Sequence, residues 1–509
     1  MGQRIGIIHR GVRSLSGERL RGIRRGIEKE SLRTRSDGTL ALTPHPAQLG
    51  SALTHPRITT DFSESQLELI TGVHGNVESC LEELTQIHQF VYRAIGDEML
   101  WVGSMPCGLP TDETIPIACY GFSNIGHAKT VYRMGLGYRY GRRMQTISGI
   151  HYNWSMPGLS NAEYFSLIRN FRRHSFLLLV LSGASPAVCA SFVSGRAHKL
   201  QTIRGNTLGL PYATSLRMGR LGYQSDAQAS LAVSYNSLEE YSASVLEALT
   251  RPYPDYQDIG IRNPGGEYNQ LSTSLLQIEN EFYGTIRPKR VILPGERPLH
   301  ALMDRGVEYV EVRCIDLNPF EPIGIGAPIA RFLDLFLLHC LLADSPPDTP
   351  WEIAALERNQ QNVSERGRTP GLVLERDGRD VALADWGEEL LEEFAPIAAA
   401  MDAANRSASY AEALLSARAA LRDPACLPSA RVLEVMTADF DGAYVRFICD
   451  RSEKARRFLL GLPWDGHAAS RFAQLSEASI AAQIALEATE RLTFEEYLQQ
   501  YLAPLQLAP

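Results

Sequence analysis

No C-x-x-C pair occurs among the eight cysteines, at 80, 107, 119, 189, 314, 340, 426 and 449, and no histidines stand beside them at zinc-finger spacing. The spacing therefore implies no structural zinc site. Long apolar runs are also missing. The two most apolar stretches are broken, Phe176–Phe192 by Gly-Ala-Ser-Pro and 329–343 by Arg331 and Asp334, so neither would span a bilayer. The N-terminus lacks a long apolar core and a cleavage-like site, so the expectation is a cytoplasmic protein with reduced thiols. Excess positive charge is absent too. A formal net charge of −8 argues against general affinity for nucleic-acid backbones. The basic run Arg19–Arg25 has no interleaved aromatics to stack bases, and reads as a solvated helix face or strand edge.

What is present is a chain of 509 residues, 44% hydrophobic, 21% charged and 8% aromatic, which is enough to bury a large core. From Arg24 to about Arg313 it mixes short β-prone runs with loops and a few helical patterns. After that, 329–343, Trp386–Ala404, Ser409–Arg422 and Ser476–Leu502 carry apolar residues at helical spacing among Ala, Glu and Leu. No repeat or flexible tether divides the chain. The expectation is one α+β catalytic body over residues 1–509, with a sheet-forming part at about 20–320 and a mainly helical part at about 329–509.

Four segments place polar residues where a strand would want an apolar face. In R-G-I-E-K-E-S-L-R, Glu28 and Glu30 are two apart, and a β-strand aims both to one side. V-E-Y-V-E-V-R-C-I-D-L interrupts its Val and Ile with Glu308, Glu311 and Arg313. I-T-T-D-F-S-E-S-Q-L-E-L-I offers Asp61, Glu64 and Glu68 around a turn, and Q-T-I-S-G-I-H-Y-N-W-S puts His151 and Asn153 on one side. Carboxylates, an imidazole and a cation at strand spacing suit a site for divalent magnesium and a nucleoside triphosphate. Magnesium takes carboxylate and phosphate oxygens, while arginine neutralises charge on a transferred phosphoryl group. Ile323–Ala330 holds a G-x-G but puts Ile329 where a dinucleotide motif needs its third glycine. Cys314 lies within an apolar strand, as an inert buried thiol does.

Six ordered segments, at residues 22–33, 50–71, 144–153, 210–217, 276–290 and 306–320, resemble proteobacterial glutamate-cysteine ligase, and R-T-P-G-L-V-L at 368–374 extends the likeness into the helical tail. The resemblance implies a glutamine synthetase-like fold, in which a curved antiparallel sheet forms a funnel surrounded by helices. It implies ATP-dependent joining of the glutamate γ-carboxyl to the cysteine amine through γ-glutamyl phosphate, by a monomer. Glu28, Glu30, Asp61, Glu68, His151 and Glu311 would be ligands of Mg²⁺, or of Mn²⁺ in its place. Glu28, His151 and Glu311 would lie on the nucleotide side. Arg313 would meet the γ-phosphate and Arg217 the substrate glutamate. Phe62, Tyr132, Leu136, Gln145, Tyr223 and Tyr283 would line the cysteine pocket. Two positions depart from the family pattern, His127 where arginine is common and Trp154 where a smaller aromatic is usual. A γ-glutamyl ligase of the same fold using another amine is the nearest rival reading.

Overall fold

The computed structural model describes residues 2–222, 227–228, 231–293 and 295–503. Alternation of apolar and polar side chains in the first two thirds produces strands with one polar face and one face turned to a core. They are β1 (Arg24–Thr34), β2 (Ile58–Thr60), β3 (Gln66–Ile70), β4 (Met99–Leu100) and β5 (Gly149–Ser155), then β6 (Ala187–Cys189), β7 (Gln201–Arg204) and β8 (Thr207–Gly209), and β9 (Ile286–Lys289) and β10 (Tyr309–Asp316). The main antiparallel sheet runs β2-β3-β1-β5-β10-β9, with β4 added to β1, while β6-β8-β7 form a small separate sheet. A third pair, β11 (Val373–Arg376) and β12 (Arg379–Ala382), turns through Asp377 and Gly378. Both have positive φ, the backbone a two-residue hairpin of this hand requires.

One face of the main sheet is apolar. Ile27, Leu67, Leu69, Tyr152, Trp154 and Val310 are all fully buried in one large cluster. The helices Asn161–Ser182 and Ala327–Leu342 pack together, the first also lies against β9 and β10, and both belong to the same cluster. Behind them, the helices Leu383–Asn405 and Ser409–Arg422 form the next layer. This is the α+β architecture expected, with strands mostly before residue 320 and helices after it. No helix among the described residues is long and apolar enough to cross a membrane.

Two expectations are corrected and a third is refined. Within the basic run, Arg21 and Arg24 are exposed as a solvated edge should be, but Arg25 is not: β1 carries it into the core, where its Nη2 lies 2.9 Å from Asp334. The hydroxyls of Tyr152 and Tyr410 donate to the same carboxylate, each at 3.0 Å, so this buried charge pair is closed by hydrogen bonds. Cys107 and Cys189 are joined in a disulfide with Cα atoms 5.2 Å apart, against the expectation that all thiols are reduced. A pairing across 82 residues leaves no local spacing to read. The pattern at Ser476–Leu502 is two helices, Gly466–Thr489 and Phe494–Tyr501. The second starts where Thr493 and Glu496 cap each other's backbone N–H groups.

Lys29 also points into the core. Its Nζ lies 2.7 Å from Ser31 Oγ and 3.0 Å from His88 Nε2. The other nitrogen of His88 donates to the Leu84 carbonyl at 2.8 Å, which leaves Nε2 to accept from the lysine. Burial pushes the Lys29 ammonium down to about 7.

Two outcomes are expected. Asp334→Ala, which strands Arg25 in the core, should cost about 3–5 kcal/mol in urea unfolding. Between pH 7 and 9, the stability of the wild type should rise relative to Lys29→Met. The unfolded chain there still holds a lysine proton that the folded chain has shed, and a pH-independent difference in unfolding midpoints would contradict the assignment.

Candidate active site

The polar face of the sheet is built by cross-strand register. Residues paired directly across antiparallel strands share a face, and Glu30 pairs with Glu68, Glu28 with His151, and Glu311 with both Asn153 and Arg287. Five strands, β3, β1, β5, β10 and β9, thus deliver one row of ionisable side chains. Asp61 joins the row from the turn between β2 and β3, where its N–H bonds the Gln66 carbonyl. A register shift in β10 falls between Val312 and Ile315, beside Arg313, a common way to re-aim a side chain at a site.

Contacts along the row are close. Asn153 Nδ2 donates to Glu28 Oε1 at 2.8 Å, and His151 Nδ1 lies 3.2 Å from Glu28 Oε2. With the proton on Nδ1, the lone pair of Nε2 is left buried without a hydrogen-bond partner among the described residues, 3.7 Å from Glu30 Oε1. Glu311 is held by Arg313 at 2.8 Å, by Lys289 at 3.2 Å and by Arg287 at 4.0 Å. Donor atoms of Glu28, His151 and Glu311 all lie within 4.8 Å of one another.

Charge is distributed unevenly along this row. Burial opposes ionisation of Glu311, but Lys289 and then Arg313 hold its carboxyl well below the usual range. Burial likewise opposes Glu28, and the hydrogen bond from His151 leads the effects that bring it below its ordinary value. At the other end Arg217, Arg313 and the Gly149 N–H act on Glu30 but are outweighed. Burial and then Asp61 push Glu30 up to about 8, and burial followed by Glu28, Asp61 and Glu30 raises Glu68 well above the carboxylate range. Arg133 opposes the shift of Glu68 without cancelling it. A face with surplus carboxylates and an open imidazole lone pair has the chemistry of a divalent-cation site, which Glu28, His151 and Glu311 could hold at one end and Glu30, Asp61 and Glu68 at the other.

Arg217 lies fully buried beside this row, in the short turn Leu216–Met218. It donates to the Arg313 carbonyl at 2.8 Å, and its Nη1 is 3.7 Å from Asp316. Asp316 is in turn held by Ser185, Ser215 and the Ala184 N–H. The guanidinium passes over Gly149, where any Cβ would collide with it, while the Gly149 N–H donates to Glu30 at 2.7 Å. Glycine at 149 therefore lets Arg217 and Glu30 approach each other.

A second wall is apolar and aromatic. Phe62 and Leu136 are buried in one cluster, with Tyr132 packed against it. Gln145 Nε2 donates to Tyr283 Oη at 2.7 Å, closing the gap between the turn Met144–Thr146 and the loop before β9. Tyr283 is steadied by its N–H bond to Gln228 at 3.0 Å and by edge contact with the Tyr140 ring. Tyr223 lies outside the described residues. A cavity of about 450 Å³ adjoins Tyr283, between residues 282–286 and the helix Pro350–Arg366, and none of the row's carboxylates lines it.

Other polar candidates lie elsewhere. Glu64 accepts from the His45 and Cys119 N–H groups and so ties loops together, and Glu308 caps Val291 at an exposed edge. Cys314 is buried, its thiol pushed up to about 12 by burial. Trp154 packs on the apolar face behind the row, and His127 stacks on Phe494 with ring centres 3.9 Å apart. Sequence reasoning missed Arg287 and Lys289. Their signal was the alternation in I-R-P-K, which places two cations on one face of a short strand.

Comparison with known proteins identifies the family. The sequence profile of the family described as glutamate-cysteine ligase matches residues 13–363. A glutamate–cysteine ligase of Alcanivorax borkumensis is 48% identical over 505 residues, covering 95% of this chain and 96% of that protein. One from Saccharophagus degradans is 46% identical over 508 residues, covering 96% of each. The crystal structure of glutamate–cysteine ligase from Francisella tularensis in complex with AMP superposes with a TM-score of 0.90 at 36% identity, covering 94% of this chain and 97% of that one. A bifunctional glutathione synthetase from Pasteurella multocida gives 0.70 at 25% identity, covering 93% of this chain and 58% of its own. This chain belongs to the glutamate-cysteine ligase family.

Proposed function

We infer that the protein uses ATP to join the γ-carboxyl of L-glutamate to the amine of L-cysteine, forming γ-glutamylcysteine, ADP and phosphate, the first step of glutathione biosynthesis. The observation that carries this reading is the row from Glu68 to Arg287, in which surplus carboxylates at one end meet Arg313, Lys289 and Arg287 at the other. A carboxylate does not condense with an amine in neutral water, because its oxygen is a poor leaving group, so the γ-carboxyl must first be phosphorylated. The γ-carboxylate attacks the γ-phosphorus of ATP, ADP leaves, and the amine then displaces phosphate from γ-glutamyl phosphate.

Each group has a role consistent with its surroundings. Arg313, braced against Glu311, is positioned to neutralise the oxygens of the phosphoryl group during transfer, with Arg287 and Lys289 adding positive charge beside it. Arg217, buried and facing Glu30 across Gly149, suits a carboxylate of the substrate glutamate. Mg²⁺, which the carboxylates and His151 would hold, would supply positive charge to the phosphate when bound. The proton of the amine is lost during attack to a carboxylate of the row that is ionised at that point. Holding the acyl phosphate beside the amine makes the attack intramolecular in effect. Tyr283 and Gln145, with Phe62, Tyr132 and Leu136, form a small, partly apolar wall suited to a thiol side chain. The whole chain serves as one catalytic unit in the cytoplasm, since helices from its last third brace the sheet from behind.

Two substitutions test this assignment. Glu311→Ala should lower kcat by roughly 100-fold or more while far-UV circular dichroism stays native, since Arg313 and Lys289 lose the carboxylate that orients them. Near-normal kcat would remove Glu311 from the site. Tyr283→Phe, which removes the hydrogen bond from Gln145, should raise KM for cysteine by about 5- to 10-fold and leave KM for ATP unchanged. An unaltered preference for cysteine over 2-aminobutyrate would place the acceptor elsewhere.

A further inference from the structure

A second cluster of metal-ligating side chains lies in the helical layers away from the sheet's polar face. His174 comes from the helix Asn161–Ser182, and His339 and Cys340 come from Ala327–Leu342. One ring nitrogen of each histidine and the Cys340 sulfur lie within 4.8 Å of one another. His339 and Cys340 are both fully buried.

The hydrogen bonding around His339 is asymmetric. Its Nε2 lies 2.7 Å from Glu393 Oε2, on the helix Leu383–Asn405. A carboxylate accepts, so the ring proton resides on Nε2 and Nδ1 keeps its lone pair. That Nδ1 is buried without a hydrogen-bond partner among the described residues, and so is Nδ1 of His174. Leaving two imidazole nitrogens unsatisfied in a core is costly, and most buried polar atoms avoid it. A carboxylate that fixes one ring nitrogen while the other stays open is the arrangement that orients a metal-bound histidine.

We propose that His174, His339 and Cys340 bind one zinc ion, with Glu393 orienting His339. Two imidazoles and a thiolate are soft donors, which select zinc over magnesium, so the site differs in kind from the carboxylate row. The thiol proton leaves to solvent as the thiolate binds. His174, His339 and Glu393 also line a cavity of about 440 Å³, which gives the ion a route in and leaves its fourth position to water or a small ligand. Bound there, zinc ties together three helices that brace the back of the sheet. The sequence showed no such site because His174 and His339 are far apart in the chain and meet only after packing.

Cobalt(II) is the probe, because a bound thiolate gives it an intense near-ultraviolet charge-transfer band. Full-length protein stripped with a chelator and titrated with Co²⁺ should develop this band at one ion per chain and lose it to added Zn²⁺. The band should persist in Glu28→Gln, which alters the carboxylate row. It should vanish in Cys340→Ala, a change small enough for the core to tolerate. Glu393→Gln should keep the band but weaken Co²⁺ binding by about 10- to 100-fold. No band in the wild type, a band retained in Cys340→Ala, or unchanged affinity in Glu393→Gln would overturn the proposal.

Discussion

Mutual repulsion among Glu28, Glu30, Asp61, Glu68 and Glu311 is the constraint on which the molecule is organised. Two carboxylates about 4 Å apart repel by about 4 kcal/mol at an effective dielectric of about 20, and burial makes each charge costlier still. The chain answers this on the Glu311 side with Lys289, Arg313 and Arg287, and it supplies no equal set beside Glu30 and Glu68. The consequence is a gradient along one row, anionic and clamped at one end, proton-retaining and open at the other. Phosphoryl transfer to a carboxylate needs cations near the phosphate, and the clamped end of the gradient offers them.

Everything behind the row serves to hold it rigid. Side chains alternate along each strand, so every residue that points a charge forward has neighbours pointing back into the helices, such as Ile27, Tyr152 and Val310. Charged residues on that side are paired internally, Arg25 with Asp334 and Lys29 with His88 and Ser31. Gly149 is the point where the two requirements meet. It must be small enough for Arg217 to pass and must still donate its N–H to Glu30.

Much of this was legible in the sequence, for a physical reason. A strand has a period of two, so E-K-E, H-Y-N and E-V-R each announce a pair of side chains on one face. Helical spacing marked the last third equally well. Register was not legible, because the pairing of Glu30 with Glu68 or Glu311 with Asn153 joins strands distant in the chain and is set by packing. For the same reason the Cys107–Cys189 bond was missed, and Arg25 was read as solvated. Arg287 and Lys289 escaped because a four-residue strand containing proline gives little alternation to see. The break between the last two helices has neither glycine nor proline, and its only marker is the capping pair Thr493 and Glu496.

The account's central claim is that glutamate is activated as an acyl phosphate before the amine attacks. Isotope transfer tests this directly. With L-glutamate carrying oxygen-18 in both γ-carboxyl oxygens, turnover with ATP and cysteine should place one labelled oxygen in each inorganic phosphate released and leave one in γ-glutamylcysteine. Phosphate free of label, with both labelled oxygens still on glutamate or lost to water, would contradict the account.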